Sequence, residues 1–596
     1  MNKYRISLFC FIFIHNLLVA QISKKRLPQI INVPTYSHVF PSLSGDGNQM
    51  IYLTNYTNSE GFETKYTYRT GINSWSDPVT IPSINRPTLD HIGSFCLSYD
   101  GNFVVFSSRR TPGIGNYDIW ISEKIGDNWS QPKNPGKPLN STSHEGNPSL
   151  SPDGKSIYFM RCESMDNSKK RNCSIYVSHR LSPSKWTEPE ALPDYINTGH
   201  ETTPRIMADN KTLIFASARS GGEGMMDLYS TAFEYGSWSK PKALAFINSD
   251  QNDEFISVPA RGDIIYFSGD YRDQLNIYMG VIPEQFRPKK VLMLTGNVSY
   301  NDGLKPSEDV LVQAFDTSNG EVYTTARLKQ NDNSYTLFLP EGASYDVSAF
   351  PQKGGHTYQS RIFDLVNMPI SRKDDLSMDL ISVRPGISIP LSTIRFEDYT
   401  AELSSQSEIE IKRIIGFLMK NKGIRLEIGA YIDTVYTDSV PSNDLTETIA
   451  DTVYFEIQKL EEMTIDDLLP DTLNPGINEY VLANDSTQSL ADETVIPDSS
   501  IDQEAEPMFV LSQQDSIINA GFELFEESQE TERYFKVNFT YNNDRTQKQA
   551  EAVMDKLIDS GVPAHLLEAR GYGDSWVKDF ASEERNYWIE LKILSD

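Results

Sequence analysis

The feature that most constrains this chain is a four-residue phrase, Trp-Ser/Thr-x-Pro, which occurs four times in its first half. An Ile-Asn or Leu-Asn pair follows nine or ten residues after each tryptophan. The tryptophans lie 54, 57 and 52 residues apart, at Trp75, Trp129, Trp186 and Trp238. A period of this length is typical of repeat architectures, in which one unit cannot bury its apolar face alone. The units must therefore stack or close on one another.

Each unit also contains sequence patterns that are typical of β-strands. A turn that is in most copies Asp-Gly or Asn-Gly precedes an alternating apolar run in SGDGNQMIYLTN, SYDGNFVVFSSR, SPDGKSIYFMR, ADNKTLIFASAR and ARGDIIYFSG. Such turns beside alternating runs indicate hairpins. A further strand follows in most copies, which gives about four short strands per unit. Five units between residues 36 and 286 predict a β-propeller, and a sixth blade built from the two ends of the region is the alternative.

The first residues predict export. Lys3 and Arg5 form a basic start, 6–20 is apolar, and Ala20 offers a cleavage site, which together are typical of a signal peptide over residues 1–20. No other segment has the roughly 20 apolar residues that a membrane-spanning helix needs. We therefore expect an exported protein with no transmembrane segment.

Export permits disulfide bonds. Cys162 and Cys173 flank a polar loop between two strand-like runs, so we expect them to face each other across a hairpin and form a disulfide. A zinc site is the competing interpretation, but the spacing of Cys and His does not favour one. Cys96 is expected to be a buried strand residue. The sequence predicts neither a metal site nor a cofactor.

The net charge of −28 is concentrated in one segment. Residues 441–533 contain 23 Asp and Glu but only two basic residues. A charge of this sign excludes nucleic acid as a partner. The composition of about 440–533 predicts a flexible, exposed insertion, although the apolar pieces TVYFEIQKL and PMFVLSQQ offer local docking as an alternative.

Two resemblances concern the first part of the chain. The phrase SPDGKSIYFMR and its copies resemble the PD40 group of WD40-like propellers, of the kind found in periplasmic TolB proteins. Residues 291–383 contain turn-separated strand runs that predict an Ig-like β-sandwich, and their order is similar to carboxypeptidase regulatory-like domains. Those domains serve mostly as spacers in exported proteins.

From about residue 391 the periodicity changes to helix and strand. Amphipathic helices are predicted at 405–422 and 546–560, the second with a capping box of Thr546 and Gln549. The phrases GAYID, YNNDRTQKQAEAV, ARGYGDS and NYWIEL resemble, in order, four phrases of the OmpA C-terminal domain. The resemblance implies an α/β OmpA-like domain over 391–596, interrupted by the acidic insertion.

The same resemblance implies peptidoglycan binding, which in that family depends on an Asp and an Arg. Asp433 stands at the family's Asp, and Gln549 stands where the family has Arg. Arg545 and Lys548 are nearby substitutes for that charge, and Asn586 begins the last phrase. These five residues are the candidate wall-binding site.

No catalytic residue is predicted, because the chain lacks a G-x-S-x-G elbow and an H-E-x-x-H motif. The domain order resembles PorE-type components of the type IX secretion and gliding machinery of Bacteroidota. That resemblance implies a non-enzymatic periplasmic scaffold, peripheral to the outer membrane, that joins an outer-membrane protein complex to peptidoglycan. The alternative is a propeller that recognises a glycan or a peptide.

Overall fold

The computed structural model describes residues 22–55, 62–85, 94–166, 169–182, 184–271, 274–303, 310–326, 328–329, 332–397, 400–432, 446–458, 518–526, 531–542, 544–573 and 587–595. The chain forms two compact units. The first holds the described residues through Thr393 together with Glu408–Lys422, and the second holds Ile394–Ser407 and the described residues after Lys422. The structure is mainly β, with many sheets and few helices, and is compatible with a β-propeller.

The repeat region supplies the strands of five antiparallel sheets. In chain order they are β1 (Lys25–Arg26), β2 (His38–Leu43), β3 (Gln49–Thr54), β4 (Glu63–Gly71), β5 (Ser74–Trp75), β6 (Val79–Thr80), β7 (Phe95–Leu97), β8 (Phe103–Ser108), β9 (Asp118–Ile125), β10 (Asn128–Trp129), β11 (His144–Leu150), β12 (Ser156–Asp166), β13 (Lys169–Ser182), β14 (Lys185–Trp186), β15 (Glu190–Ala191), β16 (Glu201–Ile206), β17 (Thr212–Ser217), β18 (Asp227–Glu234), β19 (Ser237–Trp238), β20 (Lys242–Ala243), β21 (Ile264–Tyr271) and β22 (Gln274–Val281). Blades 1 to 4 begin with β2, β7, β11 and β16, and blade 5 consists of segment 255–257, β21, β22 and β1.

Hydrogen bonds between first strands join blade 1 to both of its neighbouring blades. The Leu97 amide donates to Ser42 Oγ at 2.9 Å, which joins blade 2 to blade 1, and the Leu43 amide donates to Ser257 Oγ at 2.9 Å, which joins blade 1 to blade 5. Blade 5 is completed from the other end of the region, because Lys25 of β1 pairs with Met279 of β22. The two ends of the repeat region therefore complete the fifth sheet and do not form a sixth.

The repeated asparagine explains how each blade holds its turn. Its side-chain amide accepts a hydrogen bond from the N–H of one residue in the third strand and donates to the C=O of the same residue, as a neighbouring strand would. Asn140 does this with Ile119 at 2.8 and 2.9 Å. The other pairs are Asn85 with Thr64, Asn197 with Ile175, Asn248 with Leu228 and Asn32 with Ile277.

The repeated tryptophan packs each blade on the one before it. Trp129 of blade 2 meets Tyr66 of blade 1 edge to face at 6.0 Å between ring centroids. Trp238 of blade 4 meets Tyr158 of blade 3 in the same way at 6.1 Å. The hydroxyl that follows each tryptophan accepts an N–H from the third strand of its own blade, as Thr187 Oγ1 does from His179 at 2.9 Å. In the Trp-Ser/Thr phrase, the tryptophan therefore packs on the preceding blade, and the hydroxyl bonds within its own blade.

A two-sheet sandwich follows in the first unit. Its strands are β23 (Val291–Tyr300), β24 (Val310–Asp316), β25 (Val322–Ala326), β26 (Ser334–Pro340), β27 (Ser344–Pro351), β28 (Gln359–Asp364), β29 (Arg372–Asp375) and β30 (Met378–Leu380). A further short strand, β31 (Ser388–Pro390), follows them in the chain. One sheet has the order β26-β23-β29 with β30 also on β23, and the other has the order β25-β24-β27-β28. Helix α1 (Glu408–Lys420) is bound to this sandwich by Arg413, whose guanidinium lies 2.5 Å from the carboxylate of Asp346.

The second unit contains β32 (Arg425–Ile432), β33 (Thr446–Gln458), β34 (Ile518–Glu526), β35 (Thr531–Asn542), α2 (Arg545–Asp559), β36 (Leu567–Gly571) and β37 (Tyr587–Ser595). Strand β32 pairs in parallel with β36 and antiparallel with β37, and α2 packs on β32 and β36. A second sheet has the order β33-β35-β34. No helix in the described part of the chain has the length and apolar character needed to cross a membrane.

Strands β33, β34 and the start of β35 lie inside the insertion predicted at about 440–533, and its flexibility stays a prediction. The piece TVYFEIQKL begins at Thr452, within β33, and its apolar residues alternate, which is the pattern of a strand. Composition alone hid this local signal. The piece PMFVLSQQ lies outside the described residues.

The asparagine amide makes a stability prediction. Asn197→Ala should destabilise the first unit by roughly 2–4 kcal/mol, because the N–H and C=O of Ile175 lose their partner, at about 1–3 kcal/mol for each unsatisfied buried group. Denaturant unfolding followed by tryptophan fluorescence measures the loss. The exposed Asn48→Ala is the control and should change stability by less than about 0.5 kcal/mol. Equal effects in the two variants would show that the amide pairing contributes nothing.

The structure joins Cys162 and Cys173, opposite each other on β12 and β13, with 4.0 Å between their Cα atoms. Replacing both by serine should cost about 2–3 kcal/mol, because the bond closes a short loop in the unfolded chain. Unfolding with and without reductant, on wild type and on the double variant, separates this effect from that of the buried Cys96. Alkylation of both residues in protein purified from an oxidising compartment would contradict the bond.

Candidate functional site

A half-buried ion pair lies where the first strands of blades 4 and 5 begin. Lys170 Nζ is 3.2 Å from Glu254 Oε1, and Thr202 Oγ1 donates to the same oxygen at 2.6 Å. Phe255 follows Glu254 and packs against Phe40 of blade 1, with 3.6 Å between ring centroids. We use the name axial cluster for Phe40, Lys170, His200, Thr202, Glu254 and Phe255.

Lys170 reaches this cluster from blade 3 because one hairpin is unusually long. Strand β12 has 11 residues, whereas its equivalents β3, β8 and β17 have six each. Strand β13 has 14 residues, whereas its equivalents β4, β9 and β18 have nine, eight and eight. Beyond the Cys162–Cys173 bond the hairpin carries Met165, which lies over Gly146, and Lys170, which lies over the ring of Phe255 at 4.9 Å. The hairpin therefore runs from blade 3 to blade 5.

The charges of the cluster support one another. Burial raises the pKa of Glu254, but the ammonium of Lys170 and the hydroxyl of Thr202 outweigh burial and hold that pKa below its ordinary value. Burial also lowers the pKa of His200, and Lys170 lowers it further, against the opposing effect of Glu254 and Glu201. Glu254 is thus an anion and His200 is neutral at pH 7.

The two phenylalanines occupy a strained backbone position that recurs in every blade. Phe40 and Phe255 have φ of 58° and 57°, and the equivalent Ser94, Asn147 and Thr203 have φ of 53°, 45° and 47°. The left-handed region is costly for a bulky side chain. Because all five blades share it, the strain belongs to the bulge of the first strand, and what distinguishes blades 1 and 5 is the aromatic side chain placed there.

Glu145 and Glu201 have structural roles. Both are fully buried, and Glu145 accepts from the amide and hydroxyl of Ser141 and pairs with Arg161 at 2.9 Å. Glu201 accepts from Thr198 Oγ1 at 2.7 Å and from Ser217 Oγ at 2.9 Å. Their periodic placement reflects the turn that opens each blade.

The residues predicted to bind peptidoglycan are not brought together in the described structure. Asp433 and Asn586 lie outside the described residues. Gln549 is fully buried on α2 and donates to the C=O of Thr400 at 3.2 Å, while Arg545 is also buried and Lys548 pairs with Asp544 at 3.3 Å. The predicted capping box is wrong, because α2 begins at Arg545 and Thr546 Oγ1 accepts the Gly573 amide at 3.1 Å.

No group of three or more His, Cys, Asp or Glu side chains within the described residues could hold a metal ion. The chain matches no protein-family model and no curated protein. Its structure is similar, over part of its length, to several solved structures. One is the catalytic domain of the GH62 α-L-arabinofuranosidase of Coprinopsis cinerea, at 12% identity over 44% of this chain and 96% of that chain, with a TM-score of 0.29.

Two further structures match at similar levels. The endo-arabinase of Bacteroides thetaiotaomicron is 13% identical over 43% of this chain and 97% of that chain, with a TM-score of 0.31. A structure from work on two prolyl endopeptidases is 11% identical over 54% of each chain, with a TM-score of 0.25. Structural similarity at this level does not indicate which activity, if any, this chain has.

These comparisons correct the predicted identity. None of them supports an OmpA-family protein of the PorE type, whether by family model, curated relative or solved structure. The predicted identity as a type IX secretion scaffold is therefore corrected, and the prediction that the chain is non-enzymatic is not kept with it. The absence of nucleophile and zinc motifs excluded only two classes of hydrolase. Catalysis by a pair of carboxylates has no short sequence motif, and in a chain with 82 Asp and Glu such a pair cannot be recognised from the sequence.

Sequence reasoning missed Lys170, Glu254 and Phe255. A signal for them was present in the repeat alignment, because the hairpin of blade 3 is longer than its equivalents and blades 1 and 5 have Phe where others have Ser, Asn or Thr. Departures from a repeat mark positions where the fold does not dictate the residue.

The pKa shifts make a pH prediction. A lowered folded-state pKa contributes stability that is lost as the pH falls, so the first unit should lose stability below about pH 6.5 through His200 and further below about pH 4.3 through Glu254. His200→Gln should remove the upper part of this dependence and Glu254→Gln the lower part, as measured by denaturant unfolding from about pH 8 to about pH 2.5. Profiles parallel to wild type would contradict both assignments.

Proposed function

We propose that the chain folds its repeat region as a five-bladed β-propeller that binds carbohydrate at the axial cluster. The observation that carries the proposal is the Phe40–Phe255 pair directly beside the Lys170–Glu254 ion pair. Ligand sites combine apolar and aromatic surface with a few fixed polar groups. A sugar ring matches this combination, because its C–H face packs on an aromatic ring while its hydroxyls bond to a carboxylate and an ammonium.

The location of the cluster supports the same proposal. Lys170 and Glu254 are each largely buried, with 12% and 19% of the side chain exposed, so hydrogen bonds to them are less weakened by water than at an open surface. Lys170 is presented by a hairpin that a disulfide bridges, which limits the loss of chain freedom when a ligand binds. We also propose export, which fits both the disulfide and the predicted signal peptide.

Binding can be tested by affinity electrophoresis in gels that contain arabinan, xylan or β-glucan. Phe255→Ala should weaken the affinity measured by retardation at least about five-fold, because an aromatic contact of this kind contributes of the order of 1 kcal/mol beyond its buried area. Phe233→Ala is the matched control, since Phe233 is 41% exposed at the end of β18 and lies outside the cluster. No retardation in any gel, or equal retardation of the two variants, would end the proposal.

Cleavage of the bound carbohydrate is a second candidate function, favoured by two adjacent carboxylates. Burial raises the pKa of Asp253, whereas the pKa of Glu254 is lowered, and such a divided pair is the arrangement of a general acid and a base. Against it, consecutive residues of an extended segment project to opposite faces, and Asp253 already accepts from Ser249. Incubation of the retarded polysaccharides with wild type and Glu254→Gln, followed by product analysis, decides: cleavage by wild type alone supports it.

A further inference from the structure

A second set of equivalent side chains lies at the junctions between blades. Two residues after the left-handed position of each first strand stand, in blade order, Ser42, Cys96, Ser149, Arg205 and Ser257. We use the name junction ring for these five residues. Three are serines that perform one structural task, and blade 4 departs from them with an arginine.

Each ring serine already accepts one hydrogen bond and still has a hydroxyl proton that it can donate. Ser42, Ser149 and Ser257 accept main-chain amides of the next blade at 2.9, 3.1 and 2.9 Å. All three are buried, and none donates its hydroxyl proton to an acceptor within the described residues. A buried hydroxyl of this kind still has a donor to satisfy.

Arg205 adds a positive charge to the ring. It is half-buried, and its Nε donates across the junction to the C=O of Ile256 at 3.3 Å. Its remaining guanidinium N–H groups have no hydrogen-bond or salt-bridge partner among the described residues. The blade contact therefore uses one donor of a side chain that has five.

The junction ring carries one formal positive charge and no negative one, in a chain whose net charge is −28. Nearby Tyr99 adds no anion, because burial raises the pKa of its phenol far above neutrality and its hydroxyl donates to the C=O of Ile206 at 3.0 Å. Asp209 also acts on this phenol, but its carboxylate already accepts the amides of Lys211, Thr212 and Lys289. A half-buried guanidinium with spare donors favours a bound anion.

We propose that the junction ring binds a compact anion, held by the guanidinium of Arg205 and by hydroxyl protons of the ring serines. Charged hydrogen bonds of this type are strong, and planar guanidinium suits oxyanions such as phosphate or a carboxylate as well as chloride. The residues that carry this proposal differ from those of the axial cluster, so it does not depend on the carbohydrate proposal.

The test is ³⁵Cl nuclear magnetic resonance line width of chloride titrated with the full chain, with inorganic phosphate and acetate as competitors. Wild type should broaden the chloride line, and the more effective competitor identifies the preferred anion. Arg205→Gln should reduce apparent affinity about ten- to a hundred-fold, because it removes the charged donor. Arg261→Gln is the matched control, since Arg261 is largely exposed and paired with Asp263, and it should retain wild-type broadening.

One further variant keeps the result decisive. Arg205→Lys retains the charge and should retain broadening if Arg205→Gln proves unstable, with folding checked by circular dichroism. Absence of broadening by wild type, or equal broadening by wild type and a folded Arg205→Gln, would overturn the proposal.

Discussion

The rest of the repeat region depends on one side-chain amide in each blade. An asparagine pairs with both the N–H and the C=O of a single third-strand residue, as a strand neighbour would, but it does so from a turn. It thereby fixes the chain that leads into the next blade against the blade just completed. Without it, two buried main-chain groups lose their partners at a cost of about 1–3 kcal/mol each, a large part of the stability of an ordinary domain. The tryptophan packing and the serine junctions then act on blades that are already positioned.

The residues that perform these tasks are local, and for that reason the repeat could be predicted. Trp-Ser/Thr-x-Pro and Leu/Ile-Asn stand at fixed offsets, so the number of units and the strand pattern are visible in the printed sequence. The closure of blade 5 was not predictable in the same way, because Asn32 and β1 pair with β22 about 250 residues away. Pairing over that distance leaves no spacing to count. The long hairpin of blade 3 was visible as an insertion, but its contact with Glu254 was not.

The second unit shows the opposite case. Its phrases predicted a domain that the comparisons do not support, and the residue at the predicted ligand position, Gln549, is buried and bonded to Thr400. An amide in the interior can be held by a main-chain carbonyl, whereas an arginine there would need a charge partner. Gln549 therefore has a structural contact that accounts for its residue type. Composition similarly hid β33, because the acidic residues of the segment dominate its average while its alternation is that of a strand.

In a closed repeat, the shared residues build the fold and the departures from them are free to serve something else. Glu145, Glu201, the asparagines and the left-handed backbone recur, and each has a structural partner that accounts for it. The phenylalanines of blades 1 and 5, the extended hairpin of blade 3 and Arg205 of blade 4 do not recur. Two of these three departures, the phenylalanines and the hairpin, meet in the axial cluster, and the third leaves a guanidinium with spare donors at a blade junction. The contacts that the blades share do not account for these departures. We therefore expect ligands to bind at the positions where the residues of the blades differ.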